Sequence, residues 1–169
     1  FYAEKHPSTS FKVKEIREYL MIWDRTKDVS VLDPIIVSID DFWKLYHNAN
    51  IRWKSILLFS LNTMSYAKEI SDTKGKHIDK KRKYLRMIRE KENSLKVGYL
   101  WDETLQLIEQ YEKIKKGKSE WLFTSNHGGK YASSSMQNYI REFSRRVGKL
   151  SLDNITFEMI RNGSSTAAD

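Results

Sequence analysis

Residues 51–70 read IRWKSILLFSLNTMSYAKEI, and their first fourteen positions leave almost no polar face for solvent. Apolar side chains recur there at Ile51, Trp53, residues 56–59 and Leu61. A helix that is apolar nearly all round belongs in the interior of a domain rather than on its surface. The segment therefore predicts a central, buried helix around which the other elements pack.

The segments on either side of this helix predict more helices. Ser38 followed by Asp41 resembles a capping box, so a helix is expected to open just before the central one. Further along, Asp102 is predicted to cap a helix that stops at Gly117. Ser134 with Gln137 is predicted to open another helix, which stops at Gly148.

Two short segments have the character of strands instead. Residues 84–89 and 96–101 read as extended, and residues 90–94 join them into a hairpin. Helices therefore dominate the chain, with one small antiparallel sheet among them. We predict an α+β fold class, mostly helical with a small antiparallel β-hairpin sheet.

The charge of the chain is concentrated in one place. From Lys74 to Lys91 there are nine Lys or Arg residues against only Asp79 and Glu90, which gives +7 of the formal net charge of +8. A focused positive field of this kind is typical of proteins that bind a polyanion, nucleic acid first. The alternative is an ordinary solvated, Lys-rich loop.

Composition excludes several classes of function. The 169 residues contain no Cys, and the four His residues are scattered without metal-ligand spacing, so we expect no disulfide, no metal site and no cofactor. The longest apolar run, residues 56–59, is far too short to cross a bilayer, and we expect no membrane partner. The absence of Cys suits a reducing compartment such as the cytoplasm.

Cations outside the basic stretch add to the nucleic-acid hypothesis. Arg141 and Arg145 are spaced i, i+4 on the helix after Ser134, where two guanidinium groups on one ridge can straddle a phosphate backbone. The hairpin and the Gly-Gly-Lys turn supply further cations. The residues predicted to contact DNA are Arg86, Arg89, Lys91, Lys130, Arg141 and Arg145.

The order of these segments resembles a known family. Residues 57–70, LLFSLNTMSYAKEI, are similar to a helix that ends in Thr-Gly-x-Arg-x-x-Glu, and residues 155–168 resemble a helix that carries His-x-x-Arg. With the hairpin, the turn at 128–130 and the opening VSIDDF at 37–42, the chain resembles the catalytic domain of the tyrosine recombinases, or phage integrase family. The resemblance implies a catalytic domain over 34–169, truncated at its C-terminus. Residues 1–33 would then be the end of a preceding core-binding-like helical region and its linker.

What the resemblance implies about chemistry is specific. In intact members a tyrosine attacks a DNA phosphodiester, which leaves a 3′-phosphotyrosyl link and a free 5′-hydroxyl without metal or cofactor. Two arginines stabilise the charge of the pentacoordinate phosphate, a hairpin lysine protonates the leaving oxygen, and histidines assist proton transfer. The partner implied is double-stranded DNA, bound by a homo-oligomer.

The catalytic positions carry over only in part. Lys91 matches the hairpin lysine and Arg161 the arginine of His-x-x-Arg, but Tyr66 stands at the first arginine position and Glu158 at the histidine position. A tyrosine cannot hold a permanent positive charge. The nucleophilic tyrosine is expected beyond Asp169.

Three hypotheses follow from this partial match. The first is a recombinase-fold domain that binds duplex DNA, with strand cleavage weakened or lost. The second is an active, divergent recombinase in which Lys68 or Lys74 replaces the first arginine. The third is a protein-interaction module on the same fold, with Trp101, Trp121 and Tyr131 as anchors.

Overall fold

The computed structural model describes residues 35–89 and 93–166. The predicted helical region and linker at 1–33 lie outside the described residues, and so does Lys91. Within these ranges the chain folds into helices packed around a small antiparallel sheet, which confirms the α+β prediction.

The elements are numbered here in chain order from the first described one. The helices are α1 (Ile39–Asn48), α2 (Ile51–Thr63), α3 (Ala67–Asp72), α4 (Asp102–Ile114), α5 (Ser133–Val147) and α6 (Phe157–Thr166). The strands are β1 (Ile78–Asp79), β2 (Tyr84–Arg89) and β3 (Ser94–Tyr99), and a short 3-10 helix (Gly75–His77) precedes them. None of the described helices has the length and apolar character that crossing a bilayer requires.

Helix α2 forms the centre of the domain, as its sequence predicts. The side chains of Ile56, Leu57 and Phe59 are fully buried, and the helix packs against α1, α4 and α6. Burying each large apolar side chain contributes about 1.5–3 kcal/mol. The apolar run in α2 therefore contributes strongly to stability, and the surrounding helices pack against it.

The sheet is slightly larger than predicted. Its strand order is β1-β2-β3, all antiparallel, and the added strand β1 contains only two residues. Strand β3 begins at Ser94 and ends at Tyr99, two residues earlier than the sequence indicated at each end. The ladder closes where Leu100 donates its amide to the carbonyl of Lys83 at 2.7 Å, and Trp101 is already the N-cap of α4.

On strand β3, the usual burial of apolar residues and exposure of polar ones is reversed. Leu95 and Val97 on β3 are 54% and 56% exposed, whereas Lys96 between them is only 8% exposed. Lys96 lies opposite Met87, which is also buried, on the face turned toward the domain. The outer face of the sheet is thus partly apolar, and its inner face holds a charge.

The N-termini of the helices agree with the sequence at one position and differ at two others. The Ser38 side chain accepts the amide of Asp41 at 3.2 Å, as predicted. Trp101, not Asp102, is the N-cap of α4, and Asp102 instead forms an ion pair with Lys83 at 2.6 Å. Helix α5 begins one residue before Ser134 without a side-chain cap, because its N-cap is Ala132, whose methyl group cannot accept a hydrogen bond.

The C-termini of α4 and α5 both lie near the predicted glycines. Helix α4 ends at Ile114, and Gly117 follows in the connector with φ +72°. Gly148, at φ +64°, ends α5 as expected. A positive φ is the conformation that favours glycine after a helix.

Asp41 ties the first helix to the loop after α5. Its carboxylate accepts the backbone amide of Ser151 at 2.8 Å and the hydroxyl of the same residue, and it faces the Lys44 ammonium at 3.4 Å. Burial alone would raise the pKa of Asp41, but these hydrogen bonds to Ser151 and Lys44 outweigh burial and lower it from 3.8. The ionised carboxylate therefore stabilises the fold.

We expect Asp41→Asn to lower the free energy of unfolding at neutral pH by about 1.5–3 kcal/mol, since it removes the charge from a buried hydrogen-bonded group. Because the folded pKa lies below 3.8, this contribution is present above pH 3.8 and is lost as the pH falls through the folded pKa. Urea denaturation at neutral and at acid pH measures it. Asp40→Asn, at the exposed neighbouring position, is the control. A loss that is equal at both pH values would contradict the assignment.

Candidate nucleic-acid interface

Tyr66 lies in the tight turn that joins α2 to α3. Met64 has a left-handed backbone, with φ 51° and ψ 40°. Glycine adopts this conformation most easily. Met64 stands at the glycine position of Thr-Gly-x-Arg, so this chain has a methionine in a conformation that favours glycine. Tyr66 follows as the N-cap of α3, and its amide donates to Glu69 Oε2 at 3.3 Å.

The Glu69 carboxylate contacts one cation from each of the two long strands of the sheet. Its side chain is 3% exposed; Oε2 lies 2.9 Å from Lys96 Nζ, and Oε1 lies 2.6 Å from Arg89 Nε. Lys96 Nζ also donates to the hydroxyl of Ser65 at 2.8 Å. We call Glu69, Lys96, Arg89 and Tyr66, together with Arg161, the Glu69 cluster.

Burial and neighbouring charges have opposite effects on the pKa of Lys96. Burial lowers the pKa of Lys96 from 10.5, while the hydrogen bond and the charge of Glu69 raise it. The positive charges of Arg89 and Arg161 lower it further. Arg161, on helix α6, thus affects the pKa of the same lysine as Arg89 does from strand β2.

Arg161 and Glu158 occupy different surroundings on α6. The Arg161 guanidinium carbon lies 5.8 Å from the centre of the Tyr66 ring. This is the range of a cation–π contact. Glu158 is exposed in the first turn of the helix, where negative charge is favourable. Of the two motif positions on this helix, Arg161 is the one that contacts Tyr66 in the described structure.

The two hairpin arginines predicted to contact DNA lie on opposite faces of β2. Arg86 is exposed on the outer face opposite Val97, whereas Arg89 lies on the inner face and pairs with Glu69. The two are three residues apart, and strand side chains alternate between faces. They cannot share one phosphate, so their roles at an interface must differ.

Asp72 forms ion pairs with two further lysines that the sequence analysis singled out. Lys130 and Lys68 each approach its carboxylate at 2.5 Å. Burial would raise the pKa of Asp72, but the hydrogen bonds from Lys130 and Lys68 lower it from 3.8. Lys74 pairs with Glu120 at 2.9 Å. Lys68 and Lys74, the candidate replacements for the first arginine, therefore each pair with a carboxylate other than Glu69.

The arginines of α5 form the predicted ridge on the outside of the helix. Arg141 and Arg145 are both exposed, opposite the buried Met136, Ile140 and Phe143. Arg145 donates from Nε and Nη2 to the Asn154 side chain, at 3.0 and 2.6 Å. The charge of Arg141 is thus exposed to solvent, and the exposed guanidinium of Arg145 is held in place by Asn154.

The aromatic residues proposed as protein-binding anchors are only partly exposed. The Trp121 ring lies 4.6 Å from Lys74 Nζ and 4.5 Å from Lys130 Nζ, so its π system already contacts two cations. Tyr131 packs edge-on against Trp53. The large exposed apolar side chains of the hairpin are instead Tyr84, Ile88, Leu95 and Val97.

Two members of the Glu69 cluster are absent from the sequence predictions. Glu69 is the last residue of Thr-Gly-x-Arg-x-x-Glu, so the motif itself carried a signal for it. The signal at Lys96 was misleading. Its neighbours Leu95 and Val97 are apolar, and this alternation predicts that they face inward and the lysine faces solvent, which is the reverse of the structure. No group of three or more potential metal ligands occurs among the described residues.

Comparison with known proteins gives a family and a fold. The sequence model of the phage integrase family matches residues 36–167. A search of curated protein sequences finds no match.

Solved structures of recombinases share the fold at low sequence identity. XerA recombinase superimposes with a TM-score of 0.71 at 16% identity, over 92% of this chain and 58% of the XerA chain. The lambda integrase catalytic core gives 0.65 at 14% identity, over 79% of this chain and 82% of the core. The Tn1549 transposon integrase, in complex with circular intermediate DNA, gives 0.61 at 12% identity, over 98% of this chain and 69% of that one. This chain therefore spans little more than half the length of the XerA chain.

The buried ion pair gives a stability prediction. Lys96→Met leaves the Glu69 carboxylate with one cation fewer in a buried site, and we expect a loss of about 2–4 kcal/mol in unfolding free energy. Lys96→Met combined with Glu69→Gln removes both charges of the pair and should be less destabilising than Lys96→Met alone. Urea denaturation measures both variants and Glu69→Gln alone, which completes the cycle. A double variant as unstable as the sum of its parts would show that the two charges are not coupled.

Proposed function

The chain belongs to the phage integrase family, and from this premise we propose that its described domain binds duplex DNA. The observation that carries the proposal is the excess of exposed positive charge along residues 74–89. In that stretch Lys76, Lys80, Lys81, Arg82 and Arg86 are exposed, and Asp79 is the one acidic residue.

Pairing inside the domain neutralises only part of this charge. Lys80 forms an ion pair with Glu112 at 2.6 Å, and Arg82 lies 4.0 Å from Asp79. Solvent-exposed pairs of this kind contribute little to stability and exchange readily for other anions. The stretch is therefore suited to phosphate contacts, each of which releases counterions from DNA.

The arginine ridge of α5 extends the proposal to a second element. Arg141 and Arg145 are exposed one helical turn apart, a spacing that suits contacts along a phosphate backbone. We include Arg86, Arg89, Lys91, Lys130, Arg141 and Arg145 in the proposed interface, as the sequence predicts. Lys130 would have to exchange Asp72 for phosphate, so its contribution should be smaller than that of Arg141.

Family relatives support DNA as the ligand and assembly as its consequence. Tn1549 integrase was solved with circular intermediate DNA, and lambda integrase as a tetramer bound to a Holliday junction. We propose that this protein likewise forms a homo-oligomer on DNA.

Strand cleavage and rejoining is the second candidate function. Arg161 is retained and faces the Tyr66 position, which favours a site still able to hold a phosphodiester. Lys91 would protonate the leaving oxygen, and the nucleophilic tyrosine is expected downstream of Asp169. A nicked suicide duplex incubated with a chain that extends beyond this point tests it, because an active enzyme is trapped as a covalent adduct. If no covalent adduct forms, strand cleavage by this protein is contradicted.

Charge reversal on the proposed interface should weaken DNA binding. We expect Arg86→Glu with Arg141→Glu to reduce affinity for a duplex by about tenfold or more, and to lower the slope of log K against log salt by about 2. Fluorescence anisotropy across a salt series measures both quantities.

The matched control is Lys113→Glu with Lys118→Glu, which changes the net charge equally at exposed positions on and after α4. An equal loss in both double variants would mean that only net charge matters. A flat salt dependence of the unmodified protein would overturn the proposed function itself.

A further inference from the structure

Strand β3 is folded against its own apolar pattern. Burying Leu95 and Val97 and exposing Lys96 would satisfy the alternation of the sequence, yet the structure does the reverse. Burying a charge is costly unless it is paired, and exposing two aliphatic side chains gives up their burial. A local conflict of this kind is expected at a functional site.

The reversed strand brings a lysine into the Glu69 cluster beside two arginines. Lys96 and Arg89 both contact the Glu69 carboxylate, and the charge of Arg161 lowers the pKa of Lys96. Lys96 and Glu69 are almost completely buried. The two guanidinium groups are more accessible, since the Arg89 side chain is 29% exposed and Arg161 is also partly exposed.

Contacts with Glu69 and with Tyr66 position the two guanidinium groups. Glu69 Oε2 accepts the amide of Tyr66 at 3.3 Å, while its other oxygen faces Arg89 Nε at 2.6 Å. Arg161 contacts the Tyr66 ring from α6. Both arginines are therefore held next to the position at which the motif carries its first arginine.

We propose that Arg89 supplies from β2 the positive charge that Tyr66 lacks, and that Arg89 and Arg161 together bind one phosphodiester of duplex DNA. This inference rests on the proposed DNA binding. Guanidinium groups bind phosphate through paired, charge-assisted hydrogen bonds, so two of them can hold one phosphate in a fixed orientation. Lys96 serves this site by sharing the Glu69 carboxylate with Arg89.

A rescue experiment distinguishes a relocated arginine from a general effect of charge. The probe is a random-sequence duplex, titrated by anisotropy over a range of salt concentrations. We expect Arg89→Gln to weaken binding about tenfold and to lower the salt slope by about 1. Tyr66→Arg added to Arg89→Gln should recover most of the lost affinity, because it returns a guanidinium to the motif position beside Arg161.

The matched control applies the same rescue to the outer face of the strand. Tyr66→Arg added to Arg86→Gln should recover no more than Tyr66→Arg gains alone, since Arg86 points away from the cluster. Equal recovery in the Arg86 and Arg89 backgrounds would overturn the relocation and leave only net charge.

A conservative variant covers the case in which Arg89→Gln does not fold. Arg89→Lys keeps a cation for Glu69 but lacks the planar fork, so we expect about threefold weaker binding with an unchanged salt slope. Affinity equal to that of the unmodified protein would overturn the two-arginine site.

The results also distinguish a failure of the two-arginine site from a failure of the proposed DNA binding. If Arg89→Gln binds normally while Arg86→Glu with Arg141→Glu binds poorly, DNA binding stands and the relocation is wrong. If neither change alters binding, the proposed function has failed as well.

Discussion

The Glu69 carboxylate is the constraint on which the packing of the sheet against the turn after α2 depends. It is almost completely buried, and it joins the turn after α2 to strands β2 and β3 through contacts with Tyr66, Arg89 and Lys96. A lone buried carboxylate would be strongly unfavourable, so its position requires cations close by. That requirement explains why β3 turns a lysine inward and aliphatic side chains outward.

The Glu69 cluster brings cations from other elements to the surroundings of Tyr66. A tyrosine at the first arginine position removes a permanent charge, yet its ring gives Arg161 an aromatic surface at 5.8 Å. A cation over the face of such a ring is attracted to it. Arg89 and Lys96 bring positive charges to the same surroundings from strands β2 and β3. The local field at such a site is a property of all the charges that converge there, and the loss of one need not abolish it.

The sequence predicted the framework of this domain better than its site. The apolar run in α2, the Ser38 cap and the glycine stop at Gly148 depend on local chemistry, and each was confirmed. The partners of Glu69 depend on contacts between residues far apart in the chain, which periodicity does not encode. At Lys96 the period-two pattern was misleading, because a long-range ion pair outweighed the preference of two aliphatic side chains for the interior.

Met64 has a consequence for how distant relatives of such domains are found. A left-handed backbone costs a residue with a side chain about 1–2 kcal/mol, while a glycine there would lose more chain entropy on folding. The strain is larger than the entropy that is saved, and the amide of Ser65 helps to hold the turn by donating to the carbonyl of Ser60 at 3.0 Å. A search pattern that insists on glycine at this turn rejects chains in which other contacts hold the same backbone conformation. Scoring the backbone shape of the turn would retain them.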